Sequence, residues 1–308
     1  MFPMRLVSPL PAHLEAVPFT VAEARAANLS RGRLRSSDLA SAGRLLYLPV
    51  GRDFELPAMA RALSAATPGA WISHVTAAEL LGLWLPPWLQ DSRDLHLSKP
   101  RALPQVRRKG VVGHTVLAYQ DETMDWQGIR ISTASRTWLD LCRQLPMEHV
   151  VAMGDQLVRQ PYDGLELRTK PWATVQELRE MLKRHPKMQG IVKARAAVEL
   201  IRVGADSAPE TFLRLALVDA GLPEPELQVR VDAGNPHSPA ADLGYRRRRI
   251  GIQYDGGHHL TREQQSRDNR RDACFHSAGW QYFKFNADDL ANDFRRAAGL
   301  VRAALREP

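Results

Sequence analysis

Three features of this chain predict an α/β fold, a mixed sheet flanked by helices, most sharply over residues 206–308. First, ADLGY and IGIQYD lie on either side of Arg246–Arg249 and alternate apolar with polar residues, the period of half-buried strands. Second, Ser207–Glu210 and Thr261–Gln264 are capping-box patterns that open helices. Third, the segments run helix, strand, hairpin, helix, strand, helix, an order that lays helices on a sheet.

Residues 1–17 read as an irregular leader, too broken by proline for a signal-peptide core. Over 18–54, Thr20 caps a helix through Ala27, and Asn28-Leu29 makes a turn. Ser30 then caps a second helix from Arg31 to about Ala40, bearing Arg31, Arg33 and Arg35. Gly43 ends it, and Arg44–Leu48 reads as a strand. That is a winged helix-turn-helix layout, and its basic helix suits a major groove. The stretch also resembles the N-terminal domain of AbiEi-type antitoxins, which are DNA-binding repressors.

Residues 55–205 read as a mixed α/β connector. Helices are expected at Pro57–Ala66, Ser73–Leu83, Ser135–Gln144, His149–Arg159 and Val192–Ile201, and after the Thr174–Glu177 capping box through Arg184. Strands are expected at Leu95–Leu97, Val111–Leu117 and Ile129–Ile131, with Trp84 and Trp88 in a packed loop. His74 and His114 sit beside apolar residues and read as packing residues. Arg101, Arg107, Arg108 and Lys109 read as a solvated loop run.

In 206–308 the first helix runs from Ser207 to about Ala220 and stops at Gly221-Leu222-Pro223. Glu226–Val231 is a strand, and the hairpin follows a loop at Gly234–Pro239. Tyr245 opposite Ile250 puts Leu243 opposite Ile252 and Asp242 opposite Gln253; a one-residue slip would bury Asp242 instead. Asp242 and Gln253 then stand roughly 5 Å apart at Cβ. Asp255 continues that polar face, Gly256-Gly257 breaks the strand, and His258-His259 follow. After Thr261 a helix to Ala278 carries Arg262, Arg267, Arg270 and Arg271 beside Asp268 and Asp272. Trp280–Phe285 is apolar on both faces, which predicts a central strand, and Asn286 caps a last helix through Leu305.

Two aspartates and an amide oxygen on one pleated face form a hard-oxygen cluster of the kind Mg²⁺ takes. Such an ion activates water and offsets charge on a phosphodiester, and a nearby histidine can move the proton. Four arginines are unusual in a hairpin turn, which favours Gly or Asn, and they suit a phosphate backbone. Glu210 has two compatible readings, a helix cap and a neighbour of the metal.

SAPETFLRLALVDAGLPEPELQ, ADLGY, IGIQYDGGHH, RDNRRDACFHSAGW and QYFKFNADDL together resemble the endonuclease-like domain related to very-short-patch-repair nucleases, of the PD-(D/E)XK class. The resemblance covers about residues 205–305 and implies a restriction-endonuclease-like fold, DNA as substrate and Mg²⁺ (or Mn²⁺) as cofactor. On the family pattern Asp242 is the principal metal ligand, and Asp255 fills the second acidic position, where the wider class has Lys, and either ligates the metal or steers His259. His259 is the general base or acid, and Glu210 binds a metal water. Gln253 stands where most members carry Glu and either offers a neutral second ligand or orients a metal-bound water. Arg246, Arg247, Arg248 and Arg271, with Arg31, Arg33 and Arg35, are the expected DNA contacts.

The net charge of +8 over 308 residues favours a polyanionic partner. Only Cys142 and Cys274 are present, so neither a cysteine zinc cluster nor a disulfide framework is expected. No apolar run is long enough to span a bilayer, and a reducing cytoplasm is the expected location. The expected function is metal-dependent DNA endonuclease. The alternative is a non-catalytic antitoxin-like repressor with a degenerate nuclease domain; a toxin or protein partner would go with it, and no residue identifies one.

Overall fold

The computed structural model describes residues 8–43, 45–90, 94–235, 237–256 and 262–307, with backbone alone at 262–265 and 267. The chain divides into two compact units, Met1–Leu141 and Cys142–Pro308. The division falls inside the stretch read as one connector. Among the described residues no helix is long and apolar enough to cross a membrane.

The first unit begins with β1 (Phe19–Thr20), α1 (Val21–Ala26), β2 (Leu39–Ser41) and β3 (Leu46–Pro49). Thr20 and Glu23 form a reciprocal capping box at the start of α1: the Glu23 N–H donates to Thr20 Oγ1 at 3.2 Å, and the Thr20 N–H to Glu23 Oε2 at 2.6 Å. The strands form an antiparallel sheet in the order β1-β3-β2. Leu14, Phe19, Ala24, Leu34 and Leu39 make its core.

The expected helix from Arg31 to Ala40 is instead a single 3₁₀ turn, Arg33–Arg35, leading into β2. Arg33 is the reason. Its guanidinium donates to Ser8 O at 2.6 Å, to Ser36 Oγ at 2.5 Å, and in a fork to Asp38 at 2.9 and 2.7 Å. That clamp folds the chain back and leaves the Arg33 side chain 7% exposed. Arg33 is therefore a structural residue rather than a groove contact, a correction to the sequence reading. Arg31 and Arg35 are exposed.

The rest of this unit comprises α2 (Leu56–Ala65), β4 (Trp71–Ile72), α3 (His74–Leu80), α4 (Pro87–Gln90), β5 (Leu95–Pro100), β6 (Val111–Val116), β7 (Thr123–Trp126), β8 (Ile129–Ser132) and α5 (Ala134–Leu141). The strands form a five-stranded sheet, order β6-β5-β4-β8-β7, with β5/β6 and β4/β8 parallel and the outer pair β7/β8 antiparallel. α3 packs on α5 and β5. Trp88, expected in a packed loop, lies in α4 with its surface 60% exposed.

The second unit contains α6 (Met147–Val158), α7 (Val175–Arg184), α8 (Ile191–Leu200), α9 (Ala208–Asp219), β9 (Glu226–Arg230), β10 (Ala240–Tyr245), β11 (Ile250–Tyr254), α10 (Arg262–Ser277), β12 (Gln281–Phe285), α11 (Ala287–Ala291) and α12 (Arg295–Arg306). Its sheet has the order β12-β11-β10-β9, parallel between β11 and β12 and antiparallel elsewhere. One face packs Leu243, Ile250, Ile252 and Phe285 against Leu213 and Leu217 of α9 and Val301 of α12. Phe275 of α10 joins Val229, Ala241 and Trp280 in a second core cluster. The fold is therefore mixed α/β, with helices on a mixed sheet.

β12 is an edge strand, not a central one. It is apolar on both sides because α10 and α11 both pack on it, so burial came from layers rather than from strand neighbours. The expected last helix is two: α11 and α12 are separated at Asn292–Phe294, where Asp293 and Phe294 are left-handed, at φ 53° and 52°. The break lets Phe294 turn inward to 1% exposure.

α6 is tied to α9 by charge. Asp155 Oδ2 accepts from Arg214 Nη2 at 2.9 Å and Thr211 Oγ1 at 2.7 Å, and its Oδ1 accepts from the Arg202 N–H at 2.7 Å. Arg214 also reaches Glu224 and the Leu200 carbonyl, each at 2.9 Å.

Two substitutions test these assignments by urea unfolding. Arg33→Ala should cost about 1–2 kcal/mol, since Asp38 is half in solvent, whereas Arg31→Ala and Arg35→Ala should be near neutral. At Gly251 a Cβ would lie 2.8 Å from Tyr282 Cδ2 and 3.1 Å from Phe275 Cε1, in rings that already stack. Gly251→Ala should therefore cost about 1–3 kcal/mol.

Candidate acidic site on the mixed sheet

The hairpin pairs Tyr245 with Ile250, Gly244 with Gly251 and Leu243 with Ile252, the register that the alternation predicts. Past that point the two strands part. β10 goes on pairing with β9 through Ala241 and Val229, and β11 with β12 through Gln253 and Lys284. Asp242 fills the fork. Its Oδ2 accepts from the Tyr254 backbone N–H at 2.8 Å and its Oδ1 from Gln253 Nε2 at 2.7 Å. A side chain thus takes a hydrogen bond that the ladder would otherwise supply.

Gln228 follows Leu227, the partner of Leu243, and precedes Val229, the partner of Ala241. It is left-handed at φ 50°, uncommon for a residue with a Cβ. Its amide donates to Asp206 Oδ2 at 3.1 Å, and the Tyr162 hydroxyl donates to the same oxygen. Asp206 in turn leads to Glu210: the Asp206 N–H donates to Glu210 Oε2 at 2.9 Å, and Ser207 Oγ to Oε1 at 2.8 Å. Ser207 caps α9, so Glu210 does close a helix end, yet it is also 6% exposed and close enough to feel Asp242.

The electrostatics follow from that burial. Removal from water, then the neighbouring Asp242 charge, pushes Glu210 up to about 8. Burial likewise pushes Asp242 up to about 6, against the pull of the Tyr254 N–H, the Arg271 charge and Gln253. Glu210, which is buried, and Asp242, which is partly buried, lie together with Asp206 nearby, and among the described side chains Arg271 is the arginine whose charge offsets Asp242. Arg271 is ion-paired with Asp268 on α10, and Lys284 with Asp272 at 2.5 Å.

The structure thus brings Asp242, Glu210, Gln253 and Arg271 together. Gln253 differs from expectation. Its Oε1 accepts from the Tyr282 hydroxyl at 3.1 Å, while its Nε2 faces Asp242. Its amide donor orients Asp242, and its Oε1, which has two lone pairs, gives one of them to the Tyr282 hydroxyl. Asp255 lies one residue past β11, its N–H donating to Phe285 O at 2.7 Å. Its charge helps burial hold the Tyr254 hydroxyl above the usual range. His259, like His258, lies outside the described residues.

The arginine turn is a 3₁₀ turn, Arg246–Arg248, closed by left-handed Arg249 at φ 51°. Arg246 donates to Arg230 O at 3.0 Å and faces Glu226 at 3.4 Å; Arg248 donates to Glu307 O at 3.1 Å. Arg247 and Arg248 are exposed. Sequence reasoning passed over Asp206, Tyr282 and Lys284. Asp206 stands four residues before Glu210, one helical turn away, and Tyr282 and Lys284 alternate along β12 on one face.

No protein-family model matches the chain. It is similar to two proteins of Mycobacterium tuberculosis, Uncharacterized protein MT2308 of strain CDC 1551 / Oshkosh and Uncharacterized protein Rv2248 of strain ATCC 25618 / H37Rv. Each is 26% identical over 200 residues, 64% of this chain and 70% of the relative. Fold and site together define a mixed α/β protein with a buried acid pair at a fork in its sheet.

Glu210 predicts a pH dependence. A carboxyl raised by folding binds its proton more tightly in the native state. The stability it contributes is full below its unfolded value of 4.5 and is lost as pH rises through about 8. Glu210→Gln keeps the acceptor and removes the charge. Without divalent cations, the stability of the variant relative to wild type should rise between pH 4.5 and 8, by at least about 1 kcal/mol in parallel urea titrations.

Proposed function

We propose that the second unit is a divalent-metal-dependent endonuclease domain acting on DNA. The Asp242–Glu210 pair carries this reading. A buried and a partly buried carboxylate, both with raised proton affinity, favour either a proton or a cation. The donor set fits Mg²⁺ or Mn²⁺, which take one or two carboxylates and complete their shell with water and substrate phosphate. Such an ion supplies an activated water and offsets charge on the phosphodiester.

The chain's own residues have separable roles. Asp242 and Glu210 hold the negative charge that recruits the cation. The Tyr254 N–H and the Gln253 amide fix the Asp242 carboxylate, and the Tyr282 hydroxyl fixes Gln253. Arg271 offers a fixed positive charge beside the acids. Arg247 and Arg248 at the hairpin turn, with Arg31 and Arg35 in the first unit, are proposed phosphate contacts, consistent with the net charge of +8. His259 keeps its expected role in proton transfer, to be tested by His259→Ala.

One observation favours a second reading. An amide at 253 leaves three acids, Asp242, Asp255 and Glu210, where the resemblance implies four, and its donor bonds Asp242 without a metal. A repressor with a degenerate nuclease fold would have this arrangement.

Supercoiled plasmid incubated with the full chain and Mg²⁺ or Mn²⁺ separates the two. The enzyme reading expects nicking that falls about 100-fold or more in Asp242→Ala. It also expects Gln253→Glu to nick faster than wild type. No nicking by either protein, or equal nicking by both, with DNA affinity intact, would leave the repressor.

A further inference from the structure

Three imidazoles meet in the first unit, away from any residue used above. His74 opens α3, His96 lies on β5 and His114 on β6. β5 and β6 run parallel, with Ser98 opposite His114 and His96 opposite Val112, so the two histidines stand near one another on adjacent strands. His96 Nδ1 is 3.1 Å from His114 Nε2. The His74 ring stacks on His114 with centroids 3.6 Å apart and planes 10° from parallel. One nitrogen from each ring can be chosen so that all lie within 4.8 Å of one another. Nitrogens on one tetrahedral zinc, at about 2.0–2.1 Å from the metal, stand roughly 3.4 Å apart, so the distances are near those required, and the His74 and His114 rings would turn out of their stack to aim at one ion.

A second observation points at the same spot. Asp140 of α5 is 1% exposed at its side chain, and its Oδ2 has no hydrogen-bond partner. That oxygen lies 3.9 Å from His74 Nδ1. The other, Oδ1, is held by Arg136 Nε at 2.8 Å, and Arg136 also binds Glu122 Oε2 at 2.6 Å. Both carboxylates and the guanidinium are buried, so two negative charges face one positive charge and an anionic oxygen is left without a donor. A buried carboxylate without a partner is costly. A cation among the imidazoles would balance it.

We propose that His74, His96 and His114 bind one divalent transition-metal ion of the Zn²⁺ type, with Asp140 supplying the compensating carboxylate. Three imidazoles with a carboxylate select a borderline metal over Mg²⁺, which prefers oxygen. His96 is 8% exposed and His74 and His114 are partly exposed, which leaves an entry path from solvent. The His74 imidazole is held from behind, with the Ser73 hydroxyl 3.0 Å from Nδ1 and Ser98 Oγ donating to Ser73 Oγ at 2.7 Å, while the His96 backbone N–H donates to Thr76 Oγ1 at 2.8 Å and ties β5 to α3. Such supports fix ligand orientation. Burial favours neutral imidazole at all three positions, the form that ligates.

The test uses the full chain, stripped with a chelator and titrated with Zn²⁺ by calorimetry in the presence of excess Mg²⁺. One equivalent should bind and raise the melting temperature. His96→Gln and His114→Gln should each weaken binding more than about 100-fold, Asp140→Asn about 10–100-fold, and His13→Gln not at all. Absence of stoichiometric Zn²⁺ binding to wild type, or full binding retained in both histidine variants, overturns the proposal. Should those variants fail to fold, Co²⁺ added to the wild-type protein decides. An intense visible d–d band of a nitrogen-ligated tetrahedral ion, displaced by Zn²⁺, supports the site, and its absence overturns it.

Discussion

The second unit depends on what the Asp242 carboxylate does at the fork between β10 and β11. Two hydrogen bonds, from the Tyr254 N–H and the Gln253 amide, join strands that have stopped pairing. They let β10 turn toward β9 while β11 follows β12, and they fix the carboxylate beside Glu210. The glycines next along the ladder make this possible. A Cβ on Gly244 would lie 2.4 Å from Ile250 O, and one on Gly251 would meet Tyr282 and Phe275. The sheet closes tightly at the glycines and opens at the aspartate.

Buried charge is handled differently in different parts of the chain. In the second unit Asp155, raised by burial, is met by Arg214, Thr211 and the Arg202 N–H, so its oxygens are satisfied. Removing one partner of such a pair typically costs about 3–5 kcal/mol, because the other charge stays buried. That clamp holds α9 and therefore the height of Glu210. At Glu210 and Asp242 the compensation is partial, from Arg271 and hydrogen-bond donors. At Asp140, in the first unit, one oxygen has no donor at all. Incomplete compensation marks places where the described protein groups alone do not balance charge, and the two proposed cation sites were chosen on that ground.

How much of this was legible in sequence varies with the range of the forces involved. Local signals read well: the Thr20, Thr174 and Ser207 caps, the helix at Leu56–Ala65, and the hairpin register are set by neighbours within a few residues. The Arg31–Ala40 helix did not form because Arg33 finds Ser8, 25 residues earlier, and no local pattern encodes that bond. β12 misled because burial by helices and burial by strands give the same apolar run. The two-residue β4 is too short to carry a period. At the acid site, Asp242 and Glu210 were legible from alternation and capping, but the direction in which Gln253 turns its amide depends on Tyr282, brought in from β12. The three histidines were illegible for the same reason. Each looks like a lone packing residue in its own segment, and only the pairing of β5 with β6 beside α3 brings them together.

Gln253 shows how one side chain couples that local logic to chemistry. Its Oε1 accepts from Tyr282 and its Nε2 donates to Asp242, so at 8% exposure both ends of the amide have a protein partner. A glutamate there would keep the Tyr282 bond and lose the donor to Asp242. It would also place a third carboxylate against one arginine, in a region where Glu210 is already pushed to about 8. Like charges at such range raise each other's proton affinity, so the site would hold more protons in the absence of metal and release them on binding it. The amide therefore joins the two sides of the fork through neutral hydrogen bonds that add no third charge beside Glu210 and Asp242. The Tyr282 bond fixes the Gln253 amide, and the amide's bond to Asp242 helps keep that carboxylate in place.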